Sequence, residues 1–175
     1  MPMRELNLNE TYTIVDLSPL HRLPLQRLHC GGLKYSSLTP LRGVPLRNVY
    51  MARDDVRNLN FLIDAHLEEL RAEENKIEDL SPLRGKPLTK LILNGNNVSD
   101  LSPLRGAPIE ELSIHHNPLQ DLTPLLDLPK LEKLGVSKLG KLLAPLRHHP
   151  TLKFLAYDDE PYRPAAEFWA TYDAQ

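Results

Sequence analysis

The sequence predicts an α/β repeat solenoid of about eight coils, each adding one strand to a parallel sheet and one short 3₁₀ turn to the opposite side. Three observations carry this. A pattern of about 21 residues, L-x-x-L-x-L-x-x-N-x-I-x-D-L-S-P-L-R-G-x-P, recurs along nearly the whole chain. Twelve of the sixteen prolines fall in two columns of that pattern. In successive units an L-x-L step places two apolar residues on one side of an extended segment.

The units run Met3–Pro24, Leu25–Pro45, Leu46–His66, Leu67–Pro87, Leu88–Pro108, Ile109–Lys130 and Leu131–Thr151, with a partial unit from Leu152. Their inward pairs are Leu6/Leu8, Leu28/Cys30, Val49/Met51, Leu70/Ala72, Leu91/Leu93, Leu112/Ile114 and Leu134/Val136. A lone strand cannot bury such a row. Neighbouring coils must cover it at the strand spacing of about 4.8 Å, which makes a parallel ladder. Asn75, Asn96 and Asn117 stand where the strand turns away, and an amide there can bond the backbone of adjacent coils.

One proline column (Pro19, Pro40, Pro82, Pro103, Pro124, Pro145) precedes a leucine, and the other (Pro24, Pro45, Pro87, Pro108, Pro129, Pro150) closes each unit. So much proline suggests disorder in general, but disorder would not produce columns. The Ser or Thr before the first column predicts an N-cap, with proline at the first helical position, where its missing N–H costs nothing. Gly43, Gly85 and Gly106 supply a residue tolerant of positive φ at the stop. The short span between cap and stop suits a single 3₁₀ turn and not a full α-helix. The unit Leu46–His66 departs from the rule: it closes with LNFLIDAH, has Phe61 in the proline place, and predicts a locally wider or irregular coil.

The first half of the unit resembles the leucine-rich-repeat consensus. Its D-L-S-P-L half is similar to the bacterial, internalin-like branch of that family, over residues 3 to about 160. The resemblance implies a curved right-handed coil, with the parallel sheet on the concave side and the short turns on the convex side. Residues 1–160 then form the solenoid and 161–175 a capping segment. In that segment Pro164 can start a helix on which Phe168 and Tyr172 make an apolar stripe beside Trp169, as a terminal cap requires. Its Pro-Ala-Ala-Glu-Phe-Trp stretch also resembles the endings of bacterial repeat proteins, including repeat regions fused to Ser/Thr kinases. At the other end Met3, Leu6 and Leu8 already occupy core places. A bare first coil predicts a preceding domain, self-association through that coil, or fraying of residues 3–24, and the first is preferred.

Composition excludes several classes. Twenty-one basic and 23 acidic residues leave a net charge of −2, which argues against nucleic acid as partner. Cys30 is the single cysteine, so the fold does not depend on an oxidising compartment. The chain has no apolar run long enough to span a bilayer, and MPMRELNLNE lacks the parts of a signal peptide. A soluble, cytoplasmic domain is the expectation.

No enzyme site is predicted. Ser18, Ser81 and Ser102 recur as turn residues, whereas a catalytic serine needs one unique place beside a base. Cys30 takes an inward leucine's place, as a buried inert thiol does. The glycines form no nucleotide-binding loop, so no cofactor is expected. His115-His116 and His148-His149 look most like metal ligands. Neighbours on a strand point to opposite faces, though, and no Cys, Asp or Glu lies at a ligand-like offset, so no metal is predicted. The convex row His21, Arg42, Arg84, Arg105 and Arg147 could meet phosphate. The plainer account is arginine stems covering the turns beside Asp79, Asp100 or Asp121.

The concave sheet offers the variable surface such scaffolds bind with. Its central column is Asn7, His29, Tyr50, Arg71, Ile92, Ser113 and Gly135, flanked by Arg27, Asn48, Glu69 and Lys90 on one side and Ala52, Arg53, Glu73, Asn94 and His115 on the other. Tyrosine and arginine are enriched at binding hot spots, and an outward isoleucine on a polar sheet is an anomaly. Arg27, His29, Tyr50, Arg53, Arg71, Ile92 and His115 are therefore the predicted partner-binding residues, centred on Tyr50, Arg71 and Ile92. The expected function is a non-catalytic module binding a protein partner. The alternative is the C-terminal sensor region of a larger bacterial signalling enzyme such as a Ser/Thr kinase.

Overall fold

The computed structural model describes residues 2–173, apart from residues 10, 12, 13, 15, 33–36 and 159. Eight strands stack in chain order: β1 (Glu5–Asn7), β2 (Arg27–His29), β3 (Asn48–Tyr50), β4 (Glu69–Arg71), β5 (Lys90–Ile92), β6 (Glu111–Ser113), β7 (Lys133–Val136) and β8 (Phe154–Tyr157). Each pairs in parallel with the next, so Leu6, Leu28, Val49, Leu70, Leu91, Leu112, Leu134 and Leu155 lie in one line across the sheet. The sheet forms the concave side of a curved right-handed solenoid. Short 3₁₀ turns make the convex side, at Ser18–Leu20, Thr39–Leu41, Asn60–Leu62, Ser81–Leu83, Ser102–Leu104 and Thr123–Asp127. The seventh, Gly140–His148, is longer. No helix among the described residues is long and apolar enough to cross a membrane.

The inward pairs fill a continuous core between sheet and turns. Leu6 is only half-buried and Met3 is 52% exposed, because the first coil has a neighbour on one side. At the far end β9 (Arg163–Pro164) pairs antiparallel with β8, and the helix α1 (Ala165–Asp173) lays Phe168 and Trp169 on the last coil. The tail packs its aromatic side chains on the last coil. Phe168 lies against Tyr157, with ring centroids 4.5 Å apart.

The asparagine column ties coil to coil. Asn96 accepts the Ile77 N–H (3.0 Å) and donates to the carbonyls of Ala72 (2.8 Å) and Leu93 (3.0 Å). Asn117 accepts from Val98 N–H (3.0 Å) and donates to Leu93 (2.9 Å) and Ile114 (3.1 Å). Asn75 accepts from Val56 and Asp54 N–H (3.0 and 3.1 Å). These amides are buried, so each satisfies backbone groups that water cannot reach.

The turn caps differ from expectation. Ser18, Ser81, Ser102 and Thr123 are the first residues of their turns, and no hydroxyl caps them. The cap is the aspartate two residues earlier. Asp16, Asp79, Asp100 and Asp121 each accept the N–H of that Ser or Thr at 2.8 Å. Ser37 and Asn58 do the same for Thr39 and Asn60. A carboxylate reaches over two residues to a free N–H in a short local ring, the Asx-turn geometry, and the hydroxyls of Ser102 and Thr123 donate to the second oxygen of the same carboxylate at 2.8 Å. Gly43, Gly85 and Gly106 hold φ of 80°, 70° and 73° at the stop, as predicted.

The unit Leu46–His66 is irregular only locally, at Asp55, whose left-handed backbone (φ 56°) has no counterpart at Lys76 or Asn97 in the following coils. Its strand keeps register on both sides, and Asn60–Leu62 forms a regular turn with Phe61 buried where proline stands elsewhere. Lys86 of the next coil donates to the carbonyls of Ile63 (3.0 Å) and Ala65 (2.6 Å), groups this unit's closing half leaves over. Burial lowers the Lys86 ammonium below the ordinary lysine range.

Asn96→Ala should lower stability by about 3 kcal/mol, since it strands buried backbone donors and acceptors together. Urea unfolding checks this, with the exposed Asn97→Ala as the near-neutral comparison.

A second expectation is acid sensitivity. Bonds from the following Ser or Thr hold Asp16, Asp79, Asp100 and Asp121 below the ordinary aspartate value of 3.8. A depressed folded-state pKa contributes stability that is complete above the unfolded value and lost as pH falls through the folded one. The thermal midpoint should therefore drop from about pH 4 downward. The fourfold Asp→Asn variant keeps the acceptor oxygens but loses the titration, and its acid limb should be shallower. Identical limbs by circular dichroism would remove the caps from the account.

Candidate functional site

The concave face carries one ordered cluster, on β2 to β4. His29 and Tyr50 lie in adjacent strands and stack, with ring centroids 4.3 Å apart and planes 14° from parallel. On the other side of Tyr50 the Arg71 guanidinium sits 5.6 Å from the ring centre. Glu69, two residues from Arg71 on the same face, locks the group. It accepts the Tyr50 hydroxyl and Arg71 Nε, both at 2.8 Å. Burial works to raise the Glu69 carboxyl, but those two bonds and the charges of Arg71 and Lys90 outweigh it and hold it low. Burial and the bond to Glu69 push the Tyr50 phenol up, and Glu69 holds the Arg71 guanidinium still more firmly charged. Arg27 pairs with Glu5 at 3.1 Å at the edge of the cluster. The result is an aromatic surface of paired charges whose side chains are fixed before any partner arrives.

Beside it runs a cleft of about 470 Å³ that includes Asn9, Tyr50, Arg53, Arg71 and Glu73 in its wall. Arg53 and Glu74 form a two-pronged pair (2.8 Å each) on its rim. Both residues have left-handed backbones, φ 63° and 53°, in the column where Gly32 and Gly95 also turn. Burial raises the Glu73 carboxyl.

The rest of the predicted surface is less open. Ile92 points out of the core but is only 7% exposed, so it is floor and not a protruding anchor. His115 is also 7% exposed. Further along, the tail covers the sheet. A Cβ on Gly135 would lie 2.5 Å from Ser113 Oγ and 3.4 Å from the Tyr162 hydroxyl. Burial and Glu111 raise the Tyr162 phenol, while its hydrogen bond with Ser113 lowers it. Tyr162 belongs to the tail, and the central column alone gave no reason to look there. The signal was the small pair Ser113 and Gly135 in a column of larger residues.

Two histidine expectations change. His149 is a core residue: its Nε2 lies 3.1 Å from the Leu125 carbonyl. His115 and His116 were expected to diverge with no carboxylate near. They lie beyond the end of β6, where His116 has φ 56°, and Asp158 from the end of β8 joins them. One ligand atom from each of the three falls within 4.8 Å of the others. Strand alternation no longer governs their directions there, and an acid 42 residues from His116 becomes a neighbour through stacking. Cys30 is fully buried, and desolvation, aided by the charge of Asp54, drives its thiol far up, as an inert core thiol. On the convex side Arg42, Arg105 and Arg147 pair with Asp64, Asp127 and Asp173, not with the capping aspartates. That row is largely neutralised.

No family model and no curated protein matches the sequence. Among solved structures the chain is similar to an internalin (inlF) from Listeria monocytogenes, with a TM-score of 0.72 and 25% identity over 90% of this chain and 48% of that one. It is also similar to an internalin C2 (inlC2) from the same organism, with a TM-score of 0.70 and 25% identity over 83% of this chain and 67% of that one. Its fold is a leucine-rich-repeat solenoid. The chain spans about half the length of the first internalin. In this leucine-rich-repeat solenoid, the central column is open at His29, Tyr50 and Arg71, and Tyr162 of the tail lies over Ser113 and Gly135 further along.

Gly135→Ala should destabilise the solenoid by about 1 kcal/mol, because the added methyl meets a buried serine and displaces Tyr162. Adding Ser113→Ala should recover part of that loss, a coupling visible in a double-mutant cycle of urea midpoints. Strict additivity would place Tyr162 elsewhere.

Proposed function

We propose that this leucine-rich-repeat solenoid is a non-catalytic protein–protein interaction module that holds a protein partner on its concave sheet. The observation that carries this is the Glu69-locked stack of His29, Tyr50 and Arg71. An aromatic ring and a guanidinium held rigid beforehand lose little side-chain entropy on binding, the condition for a hot spot. Arg27 and Arg53 supply the charged rim, and Ile92 and His115 form the floor. The likeness to the internalin repeats supports a role in recognition. The adjoining cleft, with Arg53, Arg71 and Glu73 in its wall, suits a polar or acidic side chain from the partner.

The test is comparative capture with three baits: the unaltered chain, Tyr50→Ala/Arg71→Ala, and the convex Arg84→Ala. Each truncated hot spot should cost about 2 kcal/mol or more, near thirtyfold in affinity. A protein retained by the unaltered and Arg84→Ala baits but lost by the double variant supports the reading. Equal retention by all three moves the site off this face.

A further inference from the structure

His116 and Asp158 are not used by the binding surface described above, and they converge on His115, which lines its floor. We propose that the three form a site for a divalent transition-metal ion of the zinc class, which joins the sixth coil to the eighth. The distances suit such an ion. Zinc bound tetrahedrally at about 2.0–2.2 Å from nitrogen or oxygen sets neighbouring ligand atoms about 3.3–3.5 Å apart. His116 Nε2 and Asp158 Oδ1 stand 3.3 Å apart, and a ligand nitrogen of His115 lies within 4.8 Å of both. Asp158 Oδ1 is buried from solvent, and among the described residues its partner is the His116 ring of that pair. The two imidazoles meet edge to face with centroids 5.1 Å apart.

The backbone holds the ligands in place from the intervening coil. Ser137 Oγ accepts the His116 N–H at 2.7 Å, and the Asp158 N–H donates to the Val136 carbonyl at 3.0 Å. The His115 carbonyl accepts from Gly95 N–H (3.0 Å) and Asn117 Nδ2 (3.3 Å). Two imidazoles and one carboxylate favour zinc-like ions over calcium or magnesium, which prefer oxygen alone. Three protein ligands leave one position for water or a donor from a docked partner. The ion would cross-link the coil that carries the histidines to the one on which α1 is packed.

The experiment titrates the full chain with Zn²⁺ by calorimetry and with Co²⁺ by visible absorption, whose intensity reports four-coordinate geometry. One ion per chain is expected. At a hundredfold excess over Kd, the thermal midpoint should rise by about 5 °C. His116→Gln alters an exposed side chain and Asp158→Asn keeps the shape of a partly exposed one, so both should fold normally and bind at least about tenfold more weakly. His148→Gln should bind as the unaltered chain does. Absence of saturable uptake, undiminished affinity in either His116→Gln or Asp158→Asn, or an equal loss in His148→Gln would overturn the site.

Discussion

The inward side chains of each coil are covered by the coils before and after it, and by little else. Three-residue strands have too few ladder bonds to persist alone, and their apolar row would face water. Burial between neighbours is therefore what makes each strand a strand. The in-register line from Leu6 to Leu155 is the visible form of that constraint. Hydrophobic contact sets the stacking, and the polar parts of the repeat then make the stack dry. Asn75, Asn96 and Asn117 bond backbone groups that the tight turn leaves over, and aspartate caps serve the first N–H of four of the convex turns.

Stacking also explains how a damaged unit survives. The coil at Leu46–His66 lacks the prolines and the glycine, yet both neighbours impose register on it. Phe61 fills the proline's volume, and Lys86 reaches back from the following coil to two of its carbonyls. A repeat unit in such an array is specified by its neighbours as much as by its own residues.

The same constraint frees the outward positions. A side chain between two inward leucines is not needed for the core, so it can become Tyr50, Arg71 or Gly135 without loss of fold. Register then turns residues about 21 apart in sequence into near neighbours: His29 against Tyr50, Tyr50 beside Arg71. Glu69 converts that proximity into order, since one carboxylate engages both Tyr50 and Arg71. At the far end the tail uses the small Ser113 and Gly135 as a seat for Tyr162, and the sheet there is covered by the chain itself.

The sequence by itself determined the repeat, its register, the inward pairs, the asparagine column and the positive-φ glycines. Each is a local pattern multiplied by a fixed period, so spacing alone reveals it. It also pointed to the column that contains His29, Tyr50 and Arg71. Only the tertiary structure decided that aspartates and not hydroxyls cap the turns, that Ile92 is floor, that Tyr162 lies over Gly135, and that Asp158 meets His115 and His116. Those outcomes depend on side-chain directions at strand ends and on contacts between coils or with the tail. The period places residues in columns, but it carries no information about which way a left-handed residue such as His116 turns its ring.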